Sequence, residues 1–383
     1  MASILDIAKK LNREYENNNL IIKSDIVPSY NRLATGMMGM DYPLYGGIPY
    51  GRIMVFAGQE HSGKSTAACL ALGAYQKANP DKTCVYVDVE HSLDLQFQAA
   101  MNHLDLNKLL YFNPENMSGE QILSAILEMQ KESDDIGMIV LDSIPALVPG
   151  NVLENDFEKD MGMRGTIARS LHKFCTEITG LLSQKQNILL MINQVRIAGT
   201  LYNGAPIYKE PGGDAPKFYA SVKVRFGTRT FTRDDKLDLS DGEGADGFRL
   251  TFKITKNKTC ACNRGGGFVT YRYETGADQI HDLLEVALTF GFIQRLNNVK
   301  YALVNLNTGE FLKDPETGEE LVNKKAYLID YLKSHTTFRD SYLEMLREHI
   351  AASNDRSLLN KSEMQDIEAE DQAIEKPDSS SLN

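Results

Sequence analysis

The segment VFAGQEHSGKST, residues 55–66, constrains the fold more than any other part of this sequence. It fits the pattern G-x-x-x-x-G-K-[ST], with Gly58, Gly63, Lys64 and Ser65 in the fixed positions. The pattern requires a strand before it and a helix after it, because backbone N–H groups of the turn and the helix N-terminus bind an anion together. Lys64 is expected to reach the β- and γ-phosphates of a nucleotide, and the Ser65 hydroxyl to ligate Mg²⁺. Many unrelated reactions use this loop, so it does not define the activity.

Apolar runs and helical segments alternate around this loop. The runs cover 52–58, 83–90, 136–144 and 187–195, and the helical segments cover 65–78, 119–132 and 168–186. Continuous apolar strands joined by crossover helices predict an α/β fold with a mostly parallel central sheet covered by helices on both faces. Ligands of such sheets bind at the carboxyl ends of the strands.

Polar residues stand at three of these strand ends. Asp142 in IVLDS lies near the end of the third run, where a carboxylate would lie behind Mg²⁺, although it would also serve as a simple cap. Glu90 ends the second run and would polarise the water that attacks the γ-phosphate; the alternative is an ordinary surface glutamate. Gln194 lies at the end of the fourth run and would contact the γ-phosphate. The predicted cofactors are therefore ATP and Mg²⁺.

The remaining predicted ATP contacts lie on the phosphate loop and after the second strand. Asp94 and Phe97 are expected near the adenine. The loop itself contributes Gly58, Gln59, Glu60, His61, Ser62, Gly63, Lys64, Ser65 and Thr66.

Two long segments follow the third and fourth strands, at 152–165 and 197–214. Neither has a periodic apolar face, and long loops in compact domains are usually functional or disordered. We expect a surface here that responds to a ligand; the alternative for both is an ordinary surface loop.

Both ends of the chain differ in composition from the centre. The amphipathic segment 1–22 predicts a helix that packs on its own core or docks on a neighbouring subunit. Residues 353–383 contain eight acidic and three basic side chains, a net charge of −5 out of −11 for the whole chain. This polar tail is predicted to be disordered.

Composition predicts a cytoplasmic protein that does not enter a membrane. No apolar run approaches the roughly 20 residues of a membrane-spanning helix, and the N-terminal segment lacks an apolar signal-peptide core. The five cysteines are scattered and odd in number, which favours reduced thiols.

Six motifs, taken together, resemble the RecA recombinase family in order and spacing. They are LATGMMGMDYPLYGGIPYGRIMVFAGQEHSGKST, VDVEHSLD, IVLDS, INQVR, GGDAPKFYASVKVR and KITKNK, between about 33 and 272. The resemblance implies a RecA-type P-loop ATPase core at 33–272. An N-terminal oligomerisation segment would precede it at 1–32, and a small C-terminal α+β domain and the acidic tail would follow at 273–352 and 353–383.

The resemblance also implies an activity and partners. RecA-like proteins form a helical filament on single-stranded DNA, bind ATP between subunits and pair the strand with homologous double-stranded DNA. We therefore expect a DNA-dependent ATPase of recombination and repair, whose partners are both kinds of DNA, further copies of itself and a single-stranded DNA-binding protein or loader. Its compartment would be the cytoplasm of a bacterium or a phage-infected host.

Several site residues are assigned by this resemblance. Glu90 resembles the catalytic carboxylate and Gln194 the γ-phosphate sensor. Lys256 and Lys258 resemble lysines that reach the neighbour's ATP; since they stand two apart in a strand-like segment, they share a face. Two ammonium groups on one face repel each other unless an anion lies between them, and the alternative is a solvated basic edge. Segments 152–165 and 197–214 resemble two DNA-binding loops, with contacts from Met161, Gly162, Arg164, Arg169, Arg196, Gly199, Tyr202, Gly212 and Gly213. The residues that couple the second loop to the interface would be Lys217 and Phe218.

The sequence departs from the family pattern at several places. Phe97 stands where many relatives have tyrosine, Pro216 replaces an apolar non-proline residue, and 298–330 diverges, which suits a phage-encoded or distant member. A ring helicase with the same core and a DNA-binding scaffold that holds ATP without turnover are the alternatives. The Lys256–Lys258 pair disfavours the first, and Glu90 beside an intact phosphate loop disfavours the second.

Overall fold

The protein is described from a computed structural model. It describes residues 4–14, 30–153, 166–200, 206–233, 236–238, 244–260, 264–289 and 291–352. The chain divides into two compact units, Met1–Asn31 and Arg32–Asn383. Within the described part, no helix is both long and apolar enough to cross a membrane.

The first unit contains helix α1, Ile4–Glu14. The helix is amphipathic, and the acidic Asp6 in its first turn and the basic Arg13 in its last turn both suit the helix dipole. The predicted helix extended to residue 22; residues 15–22 lie outside the described part.

The second unit contains the remaining helices and strands. The helices are α2 (Met38–Asp41), α3 (Lys64–Ala78), α4 (Leu95–Asn102), α5 (Gly119–Glu132), α6 (Gly150–Leu153), α7 (Thr166–Lys185), α8 (Ala215–Tyr219), α9 (Gln279–Thr289), α10 (Lys325–Ser334) and α11 (Thr336–Ala352). The strands up to the second long loop are β1 (Arg32–Leu33), β2 (Ile48–Pro49), β3 (Ile53–Gly58), β4 (Thr83–Asp88), β5 (Leu109–Phe112), β6 (Ile136–Asp142), β7 (Ile188–Gln194), β8 (Arg196–Thr200) and β9 (Pro206–Lys209). The later strands are β10 (Val222–Phe226), β11 (Thr230–Arg233), β12 (Lys236–Asp238), β13 (Gly247–Asn257), β14 (Gly266–Arg272), β15 (Gly276–Ala277), β16 (Ile293–Arg295), β17 (Tyr301–Leu303) and β18 (Val322–Asn323).

The central sheet has the order β12-β11-β13-β10-β3-β7-β6-β4-β5, and β14 and β15 continue from β13. The pairs from β10 to β5 are parallel. The pairs from β10 towards β12, and those of β14, are antiparallel. The predicted mostly parallel α/β sheet is therefore confirmed, and the alternating strands after residue 215 extend it at one side.

Both faces of the sheet are buried because alternate residues of each strand enter different cores. On β3, Met54 and Phe56 belong to one cluster with α3, while Ile53 and Val55 belong to a second cluster with α5 and α7. This two-sided burial explains why the central strands are continuous apolar runs rather than alternating ones.

Three local differences from the sequence expectation have simple causes. Strand β5 and helix α4 were not predicted; β5 is short and two of its four residues are exposed, so its apolar signal is weak. Residues 217–219 were expected to begin a strand but lie in α8, since Pro216 in the first turn has the fixed φ that a helix start requires. The loop at 197–214 contains two strands, which are described with the site.

A third apolar cluster lies in the C-terminal part. Helices α9, α10 and α11 contribute buried residues such as Leu283, Leu332 and Leu346. A three-stranded sheet, β16-β17-β18, packs with them through residues such as Ile293 and Leu303. The predicted boundary of a separate domain at 273–352 stays a prediction.

Candidate nucleotide and DNA site

The phosphate loop joins the carboxyl end of β3 to the N-terminus of α3. Gly63 has a φ of +80°, and a Cβ atom there would lie 2.3 Å from Leu250 Cδ2. A Cβ atom at Gly58 would lie 2.6 Å from Ser62 Oγ. Both glycines therefore permit a tight turn of the loop, and a larger residue would displace the backbone from a bound phosphate.

Lys64 folds over the loop that precedes it. Its Nζ donates a hydrogen bond to the Gln59 carbonyl oxygen at 2.7 Å and lies 3.4 Å from Ser62 Oγ. Burial lowers the pKa of Lys64, and the negative charges of Asp142 and Glu90 oppose this shift. The ammonium group thus lies inside the loop, where a phosphate would replace the carbonyl as its partner.

The other predicted loop residues differ in exposure. Gln59, Glu60 and His61 are exposed, whereas Ser62 is buried. The first turn of α3 also contacts α4, because Gln98 Nε2 donates to Thr66 Oγ1 at 3.4 Å.

The predicted magnesium ligands Ser65 and Asp142 are in direct contact. Ser65 Oγ donates to Asp142 Oδ2 at 2.7 Å, and the Tyr86 hydroxyl donates to the same oxygen at 2.5 Å. Burial raises the pKa of Asp142 to about 6; the two hydrogen bonds lower it, and the like charges of Glu90 and Asp88 raise it further. A hydroxyl and a carboxylate oxygen, backed by more carboxylates, are a donor set that fits Mg²⁺.

Asp88 is a site residue that the sequence analysis missed. It is fully buried at the end of β4, directly opposite Asp142 on β6 in the sheet register. Its Oδ2 accepts hydrogen bonds from the Tyr111 hydroxyl at 2.7 Å and from Leu93 N at 3.1 Å. The available signal was an aspartate at the end of an apolar strand, the same signal that identified Asp142.

Glu90 and Gln194 are brought together at the carboxyl edge of the sheet, although β6 separates β4 from β7. Gln194 Nε2 donates to Glu90 Oε1 at 2.8 Å, and the Ser143 hydroxyl donates to the same oxygen. Glu90 therefore connects the ends of two strands. Ser143 directly follows Asp142, the last residue of β6, and Gln194 is the last residue of β7.

The residues expected near the adenine lie at the start of α4. Asp94 is the N-cap of this helix, and its Oδ1 accepts a hydrogen bond from Phe97 N at 2.9 Å. The Phe97 side chain is 43 % exposed. The carboxylate thus has a structural role as a cap, and the ring presents an apolar face that a base can cover.

Most of the first predicted DNA-binding loop lies outside the described residues. Only its first two residues, 152 and 153, are described. Met161, Gly162 and Arg164 therefore stay predictions without a structural description. Arg169 is described: it is exposed in the first turns of α7.

The second predicted loop contains a β-hairpin formed by β8 and β9. The two strands satisfy each other's backbone groups, so this segment needs no apolar periodicity to be ordered. Arg196 and Gly199 on β8 are exposed, and Tyr202 lies outside the described part. Arg196 is opposite Lys209 in the register.

The end of the hairpin is fixed to the sheet. Asn193 on β7 donates through Nδ2 to the Pro211 carbonyl oxygen at 3.0 Å. Gly212 and Gly213 follow with φ values of +92° and +71°. A Cβ atom at Gly212 would lie 2.6 Å from Ile144 Cγ2, so close packing requires the glycine.

The predicted lysine pair lies together at the end of β13. Lys256 Nζ donates to the carbonyl oxygens of Lys217 at 2.5 Å and Phe218 at 3.1 Å, and Lys258 Nζ donates to the latter at 3.3 Å. These carbonyls belong to α8, whose Phe218 side chain is 61 % exposed. The lysines and the proposed coupling residues of α8 thus form one surface.

The fold and this site together define a P-loop nucleotide-binding protein with a RecA-type core. A family model described as the RecA N-terminal domain matches residues 3–276. The chain therefore belongs to the RecA family.

Named relatives agree with this assignment. Protein RecA of Chlorobaculum tepidum is 34% identical over 294 residues, which cover 74% of this chain and 80% of the relative. Protein RecA of Thermus aquaticus is 31% identical over 309 residues, covering 78% and 84%. Protein RecA of Wolinella succinogenes is 30% identical over 348 residues, covering 88% and 94%.

Proposed function

We propose that this protein is a single-stranded-DNA-dependent ATPase that forms a helical filament and catalyses homologous pairing and strand exchange. ATP and Mg²⁺ are its cofactors, and its partners are single-stranded DNA, homologous double-stranded DNA and further copies of the chain. A single-stranded DNA-binding protein or loader, and a cytoplasmic location in a bacterium or an infected host, complete the proposal.

The hydrogen bond between Gln194 and Glu90 supports this function most strongly. It joins the candidate water-polarising carboxylate to the last residue of β7. Only Val195 separates β7 from β8, the first strand of the candidate DNA-binding hairpin. A DNA strand held by this hairpin would therefore change the position of a side chain that contacts the catalytic carboxylate.

Each group has a defined task in this proposal. Lys64 and the loop amides hold the phosphates, and Ser65 and Asp142 hold Mg²⁺, which neutralises charge on the terminal phosphates. Glu90 accepts a proton from the attacking water, and Gln194 senses the γ-phosphate. Lys256 and Lys258 stabilise charge on the ATP of the adjacent subunit.

DNA binding is proposed through local groups rather than through global charge, since the chain carries a net charge of −11. Arg196 and the exposed backbone near Gly199 and Gly213 are available for phosphate contacts. Backbone amides and a few basic side chains are sufficient to position a protein on a phosphate backbone.

The central test is the steady-state ATPase rate with and without homopolymer single-stranded DNA. We expect the rate to rise many-fold with DNA, because the hairpin and the first loop follow the strands that carry the site. Equal rates would contradict the proposed DNA dependence. Electron micrographs with a slowly hydrolysed ATP analogue should show open helical filaments, whereas closed rings would favour the helicase alternative.

Strand exchange requires a separate assay. A fluorescent strand should transfer from a homologous duplex to the filament and should not transfer from a heterologous duplex of equal length. Transfer that ignores homology would contradict homologous pairing, and no transfer by well-formed filaments would favour the alternative of a DNA-binding scaffold.

A further inference from the structure

Four lysines lie close together on α8 and on the strands next to it. Lys256 and Lys258 both donate to carbonyl oxygens of α8, one of which belongs to Lys217. Lys223 on β10 is the Cα partner of Lys256 on β13. Burial and then the charges of Lys258, Lys223 and Lys217 lower the pKa of Lys256 to about 8. The group is called the lysine cluster below.

One carboxylate forms an ion pair with this cluster in the described part of the chain. Glu210 Oε2 lies 2.6 Å from Lys223 Nζ, and the two side chains are only 26% and 14% exposed. Solvent and salt screen a partly buried pair less than an exposed one. Glu210 therefore offsets part of the positive charge that Lys223 contributes next to Lys256.

Glu210 also occupies the base of the β8–β9 hairpin. It directly follows the last residue of β9 and precedes Pro211, which Asn193 holds through its carbonyl. The hairpin is thus attached at its end by one hydrogen bond to β7 and by one ion pair to β10. The first attachment lies next to Gln194, and the second lies next to the lysine cluster.

We propose that the Glu210–Lys223 salt bridge couples the DNA-binding hairpin to the lysine cluster that meets the neighbour's ATP. Glu210 acts as a positioning residue: it holds the hairpin base against β10 and supplies the negative charge that a triphosphate would compete with. This inference rests on the proposed function. Because coupling between two binding sites is reciprocal, DNA at the hairpin and phosphate at the cluster would each alter the affinity of the other.

The first experiment measures the ratio of ATPase rates with and without single-stranded DNA. Glu210→Gln and Lys223→Met each remove the ion pair while keeping the side chain's size. We expect either change to lower the ratio by at least about fivefold, the lower end of typical coupling between sites. The double variant should be no worse than either single variant, because both remove the same interaction.

Matched controls separate coupling from folding. Glu177→Gln removes a carboxylate from the exposed pair with Lys131, whose atoms are 3.2 Å apart. It should keep the wild-type ratio. Unfolding temperature, and DNA affinity measured without nucleotide, should be close to wild type in all variants, because neither depends on phosphate at the lysine cluster. The inference would be overturned if Glu210→Gln kept the wild-type ratio of ATPase rates. It would also be overturned if the double variant lowered the ratio by the product of the two single effects.

A second readout does not require hydrolysis or DNA. In a Lys64→Ala chain, which lacks its own phosphate-loop lysine, inorganic triphosphate is expected to bind at the lysine cluster. Adding Glu210→Gln should tighten this binding by about fivefold because a competing negative charge is gone. Unchanged triphosphate affinity would overturn the inference even if the ATPase of the wild type responds to DNA. If the ATPase of the wild type does not respond to DNA, the proposed function is contradicted instead. Triphosphate binding alone would then test whether Glu210 competes with phosphate at the lysine cluster.

Discussion

At the scale of single residues, the site concentrates negative charge behind the phosphate loop. Asp88, Glu90 and Asp142 come from the ends of β4 and β6 and from the loop after β4. Burial and the mutual repulsion of these carboxylates raise the pKa of Asp142, which indicates that a cation would be stabilised there. Hydrogen bonds from Tyr86 and Ser65 fix the orientation of the Asp142 carboxylate.

Replacing Glu90 by glutamine should separate ATP binding from ATP turnover. The amide oxygen still accepts the hydrogen bond from Gln194, but it cannot take a proton from water. We expect turnover to fall by about 10²–10⁴-fold, the usual contribution of a general base. ATP affinity and filament assembly should be retained. Near-normal turnover in Glu90→Gln, measured beside the Glu177→Gln control, would show that another group activates the water.

The raised pKa of Asp142 predicts that Mg²⁺-dependent nucleotide binding weakens in mild acid. Protons and Mg²⁺ compete for the same carboxylate, whose pKa is about 6 before the metal binds. Below this pH, affinity for Mg²⁺ should fall by about tenfold for each pH unit, whereas above it the affinity should level off. The affinity for Mg²⁺ is measured by titration in the presence of a fluorescent ATP analogue, from about pH 5 to about pH 8, a range that spans the raised pKa of the carboxylate. Asp142→Asn should bind Mg²⁺ weakly at every pH; a similar slope in that variant would assign the titration to another group.

At the scale of elements, the β8–β9 hairpin is held by its C-terminal end. Asn193 binds the Pro211 carbonyl, and two glycines with positive φ turn the chain into α8. This short connection joins the hairpin directly to α8, whose carbonyls accept hydrogen bonds from Lys256 and Lys258. The glycine connection between the candidate DNA-binding hairpin and these lysines is thus short and sterically constrained.

Replacing Gly212 by alanine should disturb this connection. Its φ of +92° is unfavourable for alanine, and the added Cβ atom would lie 2.6 Å from Ile144 Cγ2. We expect a loss of about 1–3 kcal/mol in the free energy of unfolding, measured by urea denaturation. The matched change Gly180→Ala in helix α7 has no neighbour within 4 Å and should stabilise the protein by up to about 1 kcal/mol. Equal stability of both variants would show that the chain relaxes easily at Gly212.

At the scale of the whole molecule, the phosphate loop and the lysine pair lie at different positions of one chain. The phosphate loop lies between β3 and α3, whereas Lys256 and Lys258 lie at the end of β13, next to α8. In this chain, Lys256 and Lys258 turn towards carbonyls of α8, while Lys64 lies in the phosphate loop. A second chain is therefore proposed to bring the lysines of one subunit to the nucleotide of the next.

Mixing two inactive variants tests this arrangement. A chain with Lys256→Ala and Lys258→Ala should bind ATP through Lys64 but hydrolyse it poorly, because groups aimed at transition-state charge contribute several orders of magnitude in rate. A Lys64→Ala chain keeps the lysine pair. DNA-stimulated ATPase should partly return in the mixture, where some junctions combine an intact loop with intact lysines. A mixture that co-assembles and stays inactive would show that the lysines do not act across the interface.

The phosphate loop, the parallel sheet and the positions of Glu90, Asp142 and Gln194 could be predicted from the sequence alone. Their signals are local: a fixed spacing of glycine, lysine and serine, and a polar residue directly after an apolar run. Parallel strands bring their carboxyl ends to one edge, so local order along the chain was sufficient to group these residues. The shared face of Lys256 and Lys258 follows from their spacing in a strand, whereas their role was assigned by resemblance to the family.

Only the tertiary structure decided which residues complete these groups. Asp88 joins the site because β4 and β6 pair in one particular register, and Tyr111 reaches it from a strand whose apolar signal is weak. The ion pair between Glu210 and Lys223 depends on where a hairpin base meets β10. Sequence patterns specify elements through neighbours along the chain, whereas contacts between distant residues depend on register and packing, which no local spacing encodes.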